Sequence, residues 1–350
     1  MKVLVTGAAG FLGRWLLKSL PEDAAVVVVD SLDERVHEPG VGFPPAVASR
    51  ATCIRADVRD THLFAEAAEG AEVVVHLAAQ TDTAQSLIEM SRYVQHNVEG
   101  TARLLEMLAS LRRPPARIIL ASSRAVYGEG CFGDDQPCPA PQRWAYGQGT
   151  GAWGAQNAQG KEILPLPMRE DHPPRPTSVY GLTKHWQEQL VETWARGNGV
   201  DFLIIRLQNV YGPGQSLRNP NTGIVGLFVD AIQCGREIEL YEDGNMTRDF
   251  VYASDAARAL VQGALHPGPL GVVVNCGSGE AVTLRDLVRQ IERVTGRTAR
   301  VRCTSRFRPG DVRHAVADMS SYSRYFGPWR PTPLVEGLRE CLLGKMKDER

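Results

Sequence analysis

The 350-residue sequence has little net charge, no long apolar run and no closely paired cysteines. A formal net charge of −1 gives no general attraction to nucleic acid or acidic membranes. Apolar runs such as Ala24–Val29 and Val272–Val274 have the length of a strand, which excludes a transmembrane helix. The seven cysteines are odd in number, scattered and without a CxxC motif, which is typical of reduced thiols. Because the first strand begins at the N-terminus and leaves no room for a signal peptide, we expect a cytoplasmic protein.

The chain does have a glycine-rich turn directly after its first apolar strand. The strand and its three spaced glycines are Val3–Thr6, Gly7, Gly10 and Gly13. The first glycine permits a sharp turn, the second lacks a Cβ that would block a pyrophosphate, and the third allows close helix–strand packing. The amides of Phe11 and Leu12 then lie at a helix N-terminus, which favours an anion. The pattern predicts a dinucleotide site, although a glycine turn without a ligand shows the same spacing.

The residue that follows the second strand indicates which dinucleotide binds. Asp30 lies about 20 positions beyond the glycines, where a carboxylate suits the ribose hydroxyls of NAD and repels the extra phosphate of NADP. Arg35 is a nearby cation that would favour NADP unless it is a solvated loop charge. NAD is therefore the predicted cofactor.

Apolar strands alternate with helical patterns through the first half of the chain. After Asp30 the strands are Ile54–Asp57, Val73–Ala79 and Arg117–Ala121, and an amphipathic stretch covers Tyr93–Arg112. This order predicts an α/β fold with a parallel, doubly wound, Rossmann-type sheet buried on both faces.

Residues 129–177 interrupt this alternation with many glycines and prolines. A loop of that length is either a lid over the substrate or a surface insertion. Cys131 and Cys138 lie in it, too far apart in sequence to indicate a zinc site, so no metal is predicted.

Tyr180 and Lys184 are four residues apart, so one helix face presents both side chains. The ammonium group, together with the positive nicotinamide of NAD, is expected to lower the phenol pKa from about 10. The phenol can then take a hydroxyl proton while hydride leaves the same carbon. Ser123 follows the strand that begins at Arg117, at the edge where α/β sheets bind ligands. Because many helices contain a YxxxK pair, the prediction rests on the order of all three elements.

The glycine turn, the segment Ser122–Gly128 (SSRAVYG) and the segment Tyr180–Lys184 (YGLTK) together resemble the extended short-chain dehydrogenase/reductase superfamily. The closest resemblance is to its nucleotide-sugar epimerase and dehydratase branch, and it covers nearly the whole chain. It implies that Ser123 holds the reacting sugar oxygen, with Ser122 as a competitor that otherwise faces the cofactor. It also implies cofactor contacts by Asp57, Val58, Leu77, Ala78, Ala79 and Asn97. For Asn97 a helix cap is the alternative.

Segments of the second half resemble the substrate-binding motifs of the same branch. The resemblance implies that Asn209 contacts the substrate's phosphates and that Asp311 accepts hydrogen bonds from the nucleoside's sugar. Arg248 and Arg308 would offer guanidinium forks to a diphosphate, although a single arginine is more often part of a surface ion pair. The predicted ligand is a nucleoside-diphosphate sugar between two domains. The expected domains are an NAD-binding part, 1–206 with the segment 248–264, and a sugar-nucleotide part, 207–247 with 265–345.

The residues before VYG separate the possible reactions. Dehydratases of this branch carry Asp-Glu there, whereas this chain has Arg124 and Ala125. The remaining serine, tyrosine and lysine suffice to oxidise a sugar at C4 and return the hydride to its other face. We therefore predict an isomerase, an NAD-dependent 4-epimerase of a UDP- or dTDP-hexose or a UDP-uronate. The alternatives are a 4-ketosugar reductase, a 4,6-dehydratase and a non-catalytic dinucleotide-binding module.

Two further expectations concern Arg124 and the assembly. Because strand residues alternate faces and Ser123 takes the inward one, the Arg124 side chain is predicted to point outward and anchor the insertion, for example through Asp134. Pointing inward, it would pair with a carboxylate or hydroxyls at C5–C6 of the sugar. The resemblance also implies a homodimer formed through the helices of Tyr93–Arg112 and Tyr180–Ala195.

Overall fold

A computed structural model describes residues 1–133, 153–155, 163–216 and 223–348 of the chain. The strands are β1 Lys2–Thr6, β2 Ala25–Asp30, β3 Thr52–Arg55, β4 Val73–His76, β5 Arg117–Ser123, β6 Asp201–Leu207, β7 Asn209–Tyr211, β8 Glu237–Leu240, β9 Thr247–Arg248, β10 Phe250–Tyr252, β11 Val272–Cys276, β12 Val282–Thr283 and β13 Arg300–Cys303. The α-helices are α1 Phe11–Ser19, α2 Pro45–Ala48, α3 Ala65–Ala68, α4 Met90–Tyr93, α5 Gly100–Ser110, α6 Val179–Asn198, α7 Ile224–Gln233, α8 Ala253–Leu265, α9 Leu284–Thr295, α10 Ser320–Phe326 and α11 Leu334–Asp348. Most of the predicted insertion, including Asp134 and Cys138, lies outside the described residues.

The central sheet has seven strands in the order β11-β6-β5-β4-β1-β2-β3, and every pair is parallel. Its strands are valine- and isoleucine-rich because helices cover both faces. The strand order reverses between β1 and β4, so their carboxyl ends leave a crevice at the switch point. This architecture confirms the predicted Rossmann-type fold.

Helices pack on the two faces of this sheet. On one face α1 and α8 bury apolar side chains that include Leu16 and Leu260, and on the other α5 and α6 bury Leu108 and Val191. These two layers fix the first turns of α1 and α6 at the carboxyl edge of the sheet, where the crevice lies.

A smaller unit packs beside the carboxyl edge of the sheet. It contains the short pairs β7–β10, β9–β12 and β8–β13 and the helices α7, α9 and α11. Its core includes Val229, Ile238, Leu287 and Leu338. The crevice is thus bounded by the large sheet on one side and by this unit on the other.

One predicted domain boundary is wrong. The sequence analysis placed 265–345 in the sugar-nucleotide domain, but β11 pairs with β6 and is the edge strand of the central sheet. The run Val272–Val274 has the apolar character of a buried parallel strand, and its pairing depends on a tertiary contact that local sequence does not specify.

None of the helices in the described part of the chain is both long and apolar enough to cross a membrane. The described cysteines, which include Cys131, are free thiols.

A buried histidine links the ends of two central strands. His76, at the end of β4, has its Nδ1 atom 2.7 Å from Thr6 Oγ1 and its Nε2 atom 2.9 Å from Thr101 Oγ1. Burial, with a smaller contribution from the charge of Lys184, lowers the pKa of His76 to about 3. The folded protein therefore holds this ring neutral.

We expect His76 to make the fold sensitive to acid. Because the folded pKa lies below the unfolded value of about 6.5, the unfolded chain binds more protons as the pH falls from about 6.5 towards 3. Unfolding free energy therefore falls by about 1.4 kcal/mol per pH unit in that window from this group alone. Urea unfolding at pH 7.5 and pH 5 should show a loss about 2 kcal/mol larger in the wild type than in His76→Gln. Equal losses in the two proteins would show that His76 titrates normally.

Candidate active site

The glycine turn between β1 and α1 opens onto the crevice. Gly7 has a φ of +74°, and a Cβ there would lie 2.6 Å from the backbone nitrogen of Ala78. A Cβ at Gly13 would lie 2.3 Å from the Cα of Ala8. At Gly10 a Cβ would meet only the Gly7 carbonyl, at 3.2 Å, and no side chain caps the helix. The first amides of α1 are therefore available to an anion in the crevice.

One cleft of about 690 Å³ runs from this turn across the carboxyl ends of the strands to the smaller unit. All predicted site residues except Asn97 line it. Those residues are Gly7, Gly10, Phe11, Leu12, Gly13, Asp30, Asp57, Val58, Leu77, Ala78, Ala79, Ser123, Tyr180, Lys184, Asn209, Arg248, Arg308 and Asp311. The fold thus brings the separate motifs to a single surface.

Asp30 joins the end of β2 to the glycine turn. Its two carboxylate oxygens accept hydrogen bonds from the backbone N–H groups of Ala9 and Leu32, each at 2.9 Å. Burial raises the pKa of Asp30, and these two hydrogen bonds lower it. Each oxygen keeps lone pairs for a further donor such as a ribose hydroxyl. The guanidinium of Arg35 pairs with Glu89 at 2.6 Å, so its charge is offset by a carboxylate.

These features predict that the protein binds NAD more tightly than NADP. A 2′-phosphate would meet the Asp30 carboxylate, whereas a 2′-hydroxyl can donate to it. We expect wild-type affinity to be at least about tenfold higher for NAD, and Asp30→Asn to reduce this ratio to a few-fold. Fluorescence titration with both dinucleotides measures it, with the exposed Asp23→Asn as the control. A wild type without a preference would contradict this function of Asp30.

Asn97 lies behind the cleft and not on its surface. It is fully buried in a π-helical turn, Val94–Glu99, that divides the predicted helix Tyr93–Arg112. Its side chain accepts a hydrogen bond from the backbone N–H of Gln80 at 2.7 Å and donates one to Thr183 Oγ1 at 3.0 Å. Asn97 thus holds α6, the helix that carries Tyr180, against the loop after β4, and it is not a helix cap.

Asp57, which the resemblance assigned to the adenine, lines the cleft and is paired with Arg59 at 2.9 Å. The carboxylate therefore contributes to the cleft wall together with a neighbouring cation. Sequence reasoning did not include this partner, although it is only two residues away.

Ser123 and Tyr180 line the cleft together at the carboxyl edge of the sheet. Ser123 is the last residue of β5, and its hydroxyl, which accepts from the Ala125 N–H at 3.2 Å, lies near enough to the phenol of Tyr180 in the first turn of α6 to lower the phenol pKa. The helix approaches this closely because Gly181 has no side chain: a Cβ there would lie 2.4 Å from the Ala125 carbonyl oxygen. Ser178 caps the helix by accepting from the Gly181 N–H at 3.1 Å.

Lys184 is buried below Tyr180 and donates from Nζ to the carbonyl of Ala121 at 2.8 Å. Burial lowers the pKa of Lys184 to about 7, and the charge of Glu188 raises it. Burial likewise raises the pKa of Tyr180, while the nearby Ser123 hydroxyl and the charge of Arg124 lower it. In the protein alone desolvation is thus the largest effect on the phenol pKa. The predicted lowering of that pKa by Lys184 together with the nicotinamide of NAD stays a prediction.

A buried ionic network below the site was missed by sequence reasoning. Glu188 forms an ion pair with Arg206 at 2.8 Å and accepts a hydrogen bond from Ser122. Ser122 was expected to face the cofactor, but its hydroxyl is used by this carboxylate. The spacing of Tyr180, Lys184 and Glu188, four residues each, is the sequence signal that places the glutamate on the catalytic face of α6.

The other end of the cleft is lined by arginines. Arg248 pairs with Asp311 at 2.6 Å and donates to the carbonyls of Thr247 and Arg313. Arg308 stacks on the ring of Tyr241 at 4.8 Å. The predicted phosphate-binding residues therefore lie together, although Arg248 and Asp311 already bind each other.

Arg124 points into the cleft, so its predicted outward orientation is wrong. Its Nε atom donates to Asn209 Oδ1 at 2.9 Å. The strand ends at Ser123 and a 3₁₀ turn, Arg124–Tyr127, begins at the next residue. The alternation of faces therefore does not extend to Arg124.

Comparison with known proteins agrees with this geometry. A sequence model of the NAD dependent epimerase/dehydratase family matches residues 3–277. The dTDP-L-rhamnose 4-epimerase of Burkholderia thailandensis is 38% identical over 343 residues, which cover 94% of this chain and 90% of that protein. The UDP-glucose 4-epimerase of Thermotoga maritima superposes with a TM-score of 0.80 at 28% identity, over 100% of both chains. The UDP-glucuronic acid 4-epimerase of Bacillus cereus, solved with UDP-glucuronic acid and NAD, gives a TM-score of 0.81 at 25% identity, over 99% of this chain and 100% of that one.

This chain belongs to the NAD dependent epimerase/dehydratase family. The predictions of the family, of NAD as the cofactor and of a nucleotide-sugar 4-epimerase, an isomerase, are thereby confirmed. The glycine turn without a capping side chain and the Asp30 carboxylate fit the phosphates and a ribose of NAD.

Proposed function

We propose that this chain interconverts a dTDP-6-deoxyhexose and its C4 epimer, with dTDP-L-rhamnose as the first substrate to test. The observation that carries the reaction type is the placement of Ser123, Tyr180 and Lys184 together in a cleft that continues to Arg248 and Arg308. The similarity to the Burkholderia thailandensis enzyme, over nearly the full length of both chains, supports the choice of sugar nucleotide.

The geometry assigns separate tasks to the residues around C4. Ser123, which lines the cleft beside Tyr180, holds the reacting hydroxyl of the sugar. Tyr180 takes the proton of that hydroxyl during oxidation and gives it back during reduction. The glycine turn and Asp30 would hold NAD, which would supply a reversible hydride acceptor for C4 without being consumed overall. Lys184 and the ion pair of Glu188 with Arg206 fix the helix that carries Tyr180.

Inversion requires that the 4-keto sugar present both faces to the same groups. The sugar must therefore turn while its nucleotide stays bound, and the guanidinium groups of the far end of the cleft can hold the diphosphate during this motion. Arg308 is available for this because it stacks on Tyr241 and forms no ion pair with a carboxylate among the described residues.

A 4,6-dehydratase is the second candidate, because dehydratases are among the relatives. Loss of the C6 hydroxyl needs an acid and a base near C5 and C6. The residues after Ser123 are Arg124 and Ala125, and neither can supply a proton at neutral pH. The epimerase is therefore the better supported function.

A reaction without added cofactor tests this proposal. Purified protein is incubated with dTDP-L-rhamnose, UDP-glucose or UDP-glucuronate, and the products are separated and identified by NMR. C4 inversion of dTDP-L-rhamnose without added NAD is the expected result. Turnover only with stoichiometric reduced cofactor would show a reductase, loss of water a dehydratase, and binding without turnover a dinucleotide-binding module.

We further propose that the chain forms a homodimer through the helical segment Tyr93–Arg112, with the adjoining residues 88–92, and through α6. Ile88, Met90 and Trp186 lie on adjoining segments and expose 82%, 54% and 41% of their surface. Large apolar side chains grouped in this way are typical of a protein interface. Ile88→Glu with Trp186→Glu is expected to halve the molar mass measured by light scattering, whereas the exposed Leu265→Glu, on α8, should not change it. A wild type that is monomeric at micromolar concentration contradicts this assembly.

A further inference from the structure

Arg124 stands at the boundary between the reacting groups and the arginines of the far end. It directly follows Ser123, and its Nε atom is bound to Asn209 Oδ1 at 2.9 Å. This hydrogen bond fixes the plane of the guanidinium and leaves its two terminal nitrogens for another acceptor. Among the described residues, no carboxylate forms an ion pair with Arg124.

The surroundings of Arg124 favour the binding of an anion to its guanidinium. Burial and, to a smaller extent, the neighbouring charge of Arg248 lower the pKa of Arg124 to about 10, while the charges of Asp311 and Glu129 raise it. Arg248 cannot readily turn towards a ligand, because it is buried and binds Asp311 and two backbone carbonyls. A half-buried cation beside a second cation is stabilised when an anion binds to it.

We propose that Arg124 binds the substrate's diphosphate at the phosphate that is joined to the sugar. This inference rests on the proposed function, since a dTDP-6-deoxyhexose carries no anion other than its diphosphate. Arg124 directly follows Ser123, which is proposed to hold the hydroxyl at C4, and it is bonded to Asn209 on the side of the arginines. The phosphate nearest the sugar is therefore the one within reach of its guanidinium. A fork held by Asn209 supplies two parallel N–H donors to two phosphate oxygens.

Ligand binding to the holoenzyme tests this assignment. Dissociation constants for dTMP, dTDP, dTDP-L-rhamnose and UDP-glucuronate are measured by calorimetry for the wild type, Arg124→Gln and Arg124→Lys. We expect Arg124→Gln to weaken dTDP and dTDP-L-rhamnose by roughly 10- to 100-fold and dTMP by less than about threefold. Arg124→Lys keeps the charge but not the two parallel donors, so its affinity for dTDP should lie between those of the wild type and Arg124→Gln. The matched control is Arg289→Gln, an exposed arginine paired with Asp286 outside the cleft, which should bind all four ligands normally.

Three outcomes overturn the proposal in distinguishable ways. Unchanged dTDP affinity in Arg124→Gln would show that Arg124 does not bind the diphosphate. A loss confined to UDP-glucuronate would assign the guanidinium to a sugar carboxylate. A wild type that binds none of these nucleotides, while still binding NAD, would contradict the proposed function and the assignment of Arg124 together. NAD affinity and thermal unfolding of each variant verify the fold, and Arg124→Lys carries the test if Arg124→Gln unfolds.

Discussion

Replacing Tyr180 by phenylalanine is expected to lower the rate of C4 inversion by about 10²- to 10⁴-fold. The substitution removes the phenol oxygen that we propose exchanges a proton with the substrate. The ring itself remains, with its edge contact to Tyr93 at 6.4 Å between ring centroids. Folding and NAD affinity should therefore stay within about twofold of the wild type. The measurements are initial rates by NMR and fluorescence titration with NAD.

A neighbouring tyrosine provides the matched control. Tyr93 is buried beside Tyr180, and its hydroxyl donates to the Thr81 carbonyl at 3.0 Å, away from Ser123. Tyr93→Phe removes the same atom from the same kind of ring and should retain the rate within a few-fold. If Tyr180→Phe kept the wild-type rate, another group would have to move the proton. If both variants lost activity equally, the effect would come from packing and not from proton transfer.

The parts of the site that depend on local geometry could be predicted from the sequence. Gly7 requires a positive φ, and Gly13 requires close backbone packing, so their spacing alone indicates the turn. Tyr180 and Lys184 share a helix face through their spacing, and Ser123 follows an apolar parallel strand. In each case the constraint acts within a few residues of the chain.

The parts that depend on tertiary contacts could not be predicted in this way. The orientation of Arg124 depends on the residue at which β5 ends, and the sequence pattern does not fix that residue. Burial decides the pKa of Tyr180, and burial results from packing of the whole cleft. Similarly, the pairing of Arg248 with Asp311 joins two segments 63 residues apart.

Alanine at two of the glycines is expected to separate folding from cofactor binding. In Gly13→Ala the new Cβ would lie 2.3 Å from the Ala8 Cα, so backbone must move, and we expect a loss of about 1–3 kcal/mol in unfolding free energy. In Gly10→Ala the backbone angles, φ −66° and ψ 177°, suit alanine, and the Cβ meets only one carbonyl at 3.2 Å. That variant should keep its stability within about 1 kcal/mol.

For NAD affinity we expect the opposite order, with the larger effect in Gly10→Ala. A methyl group at Gly10 projects into the cleft where the helix N-terminus offers its amides to the dinucleotide phosphates. We expect Gly10→Ala to weaken NAD by roughly 5- to 150-fold, the equivalent of about 1–3 kcal/mol of overpacking. Urea unfolding of the apoprotein and NAD titration of each variant measure the two effects separately. Wild-type NAD affinity in Gly10→Ala would mean that the phosphates do not pass over this residue, and the turn would then serve helix packing alone.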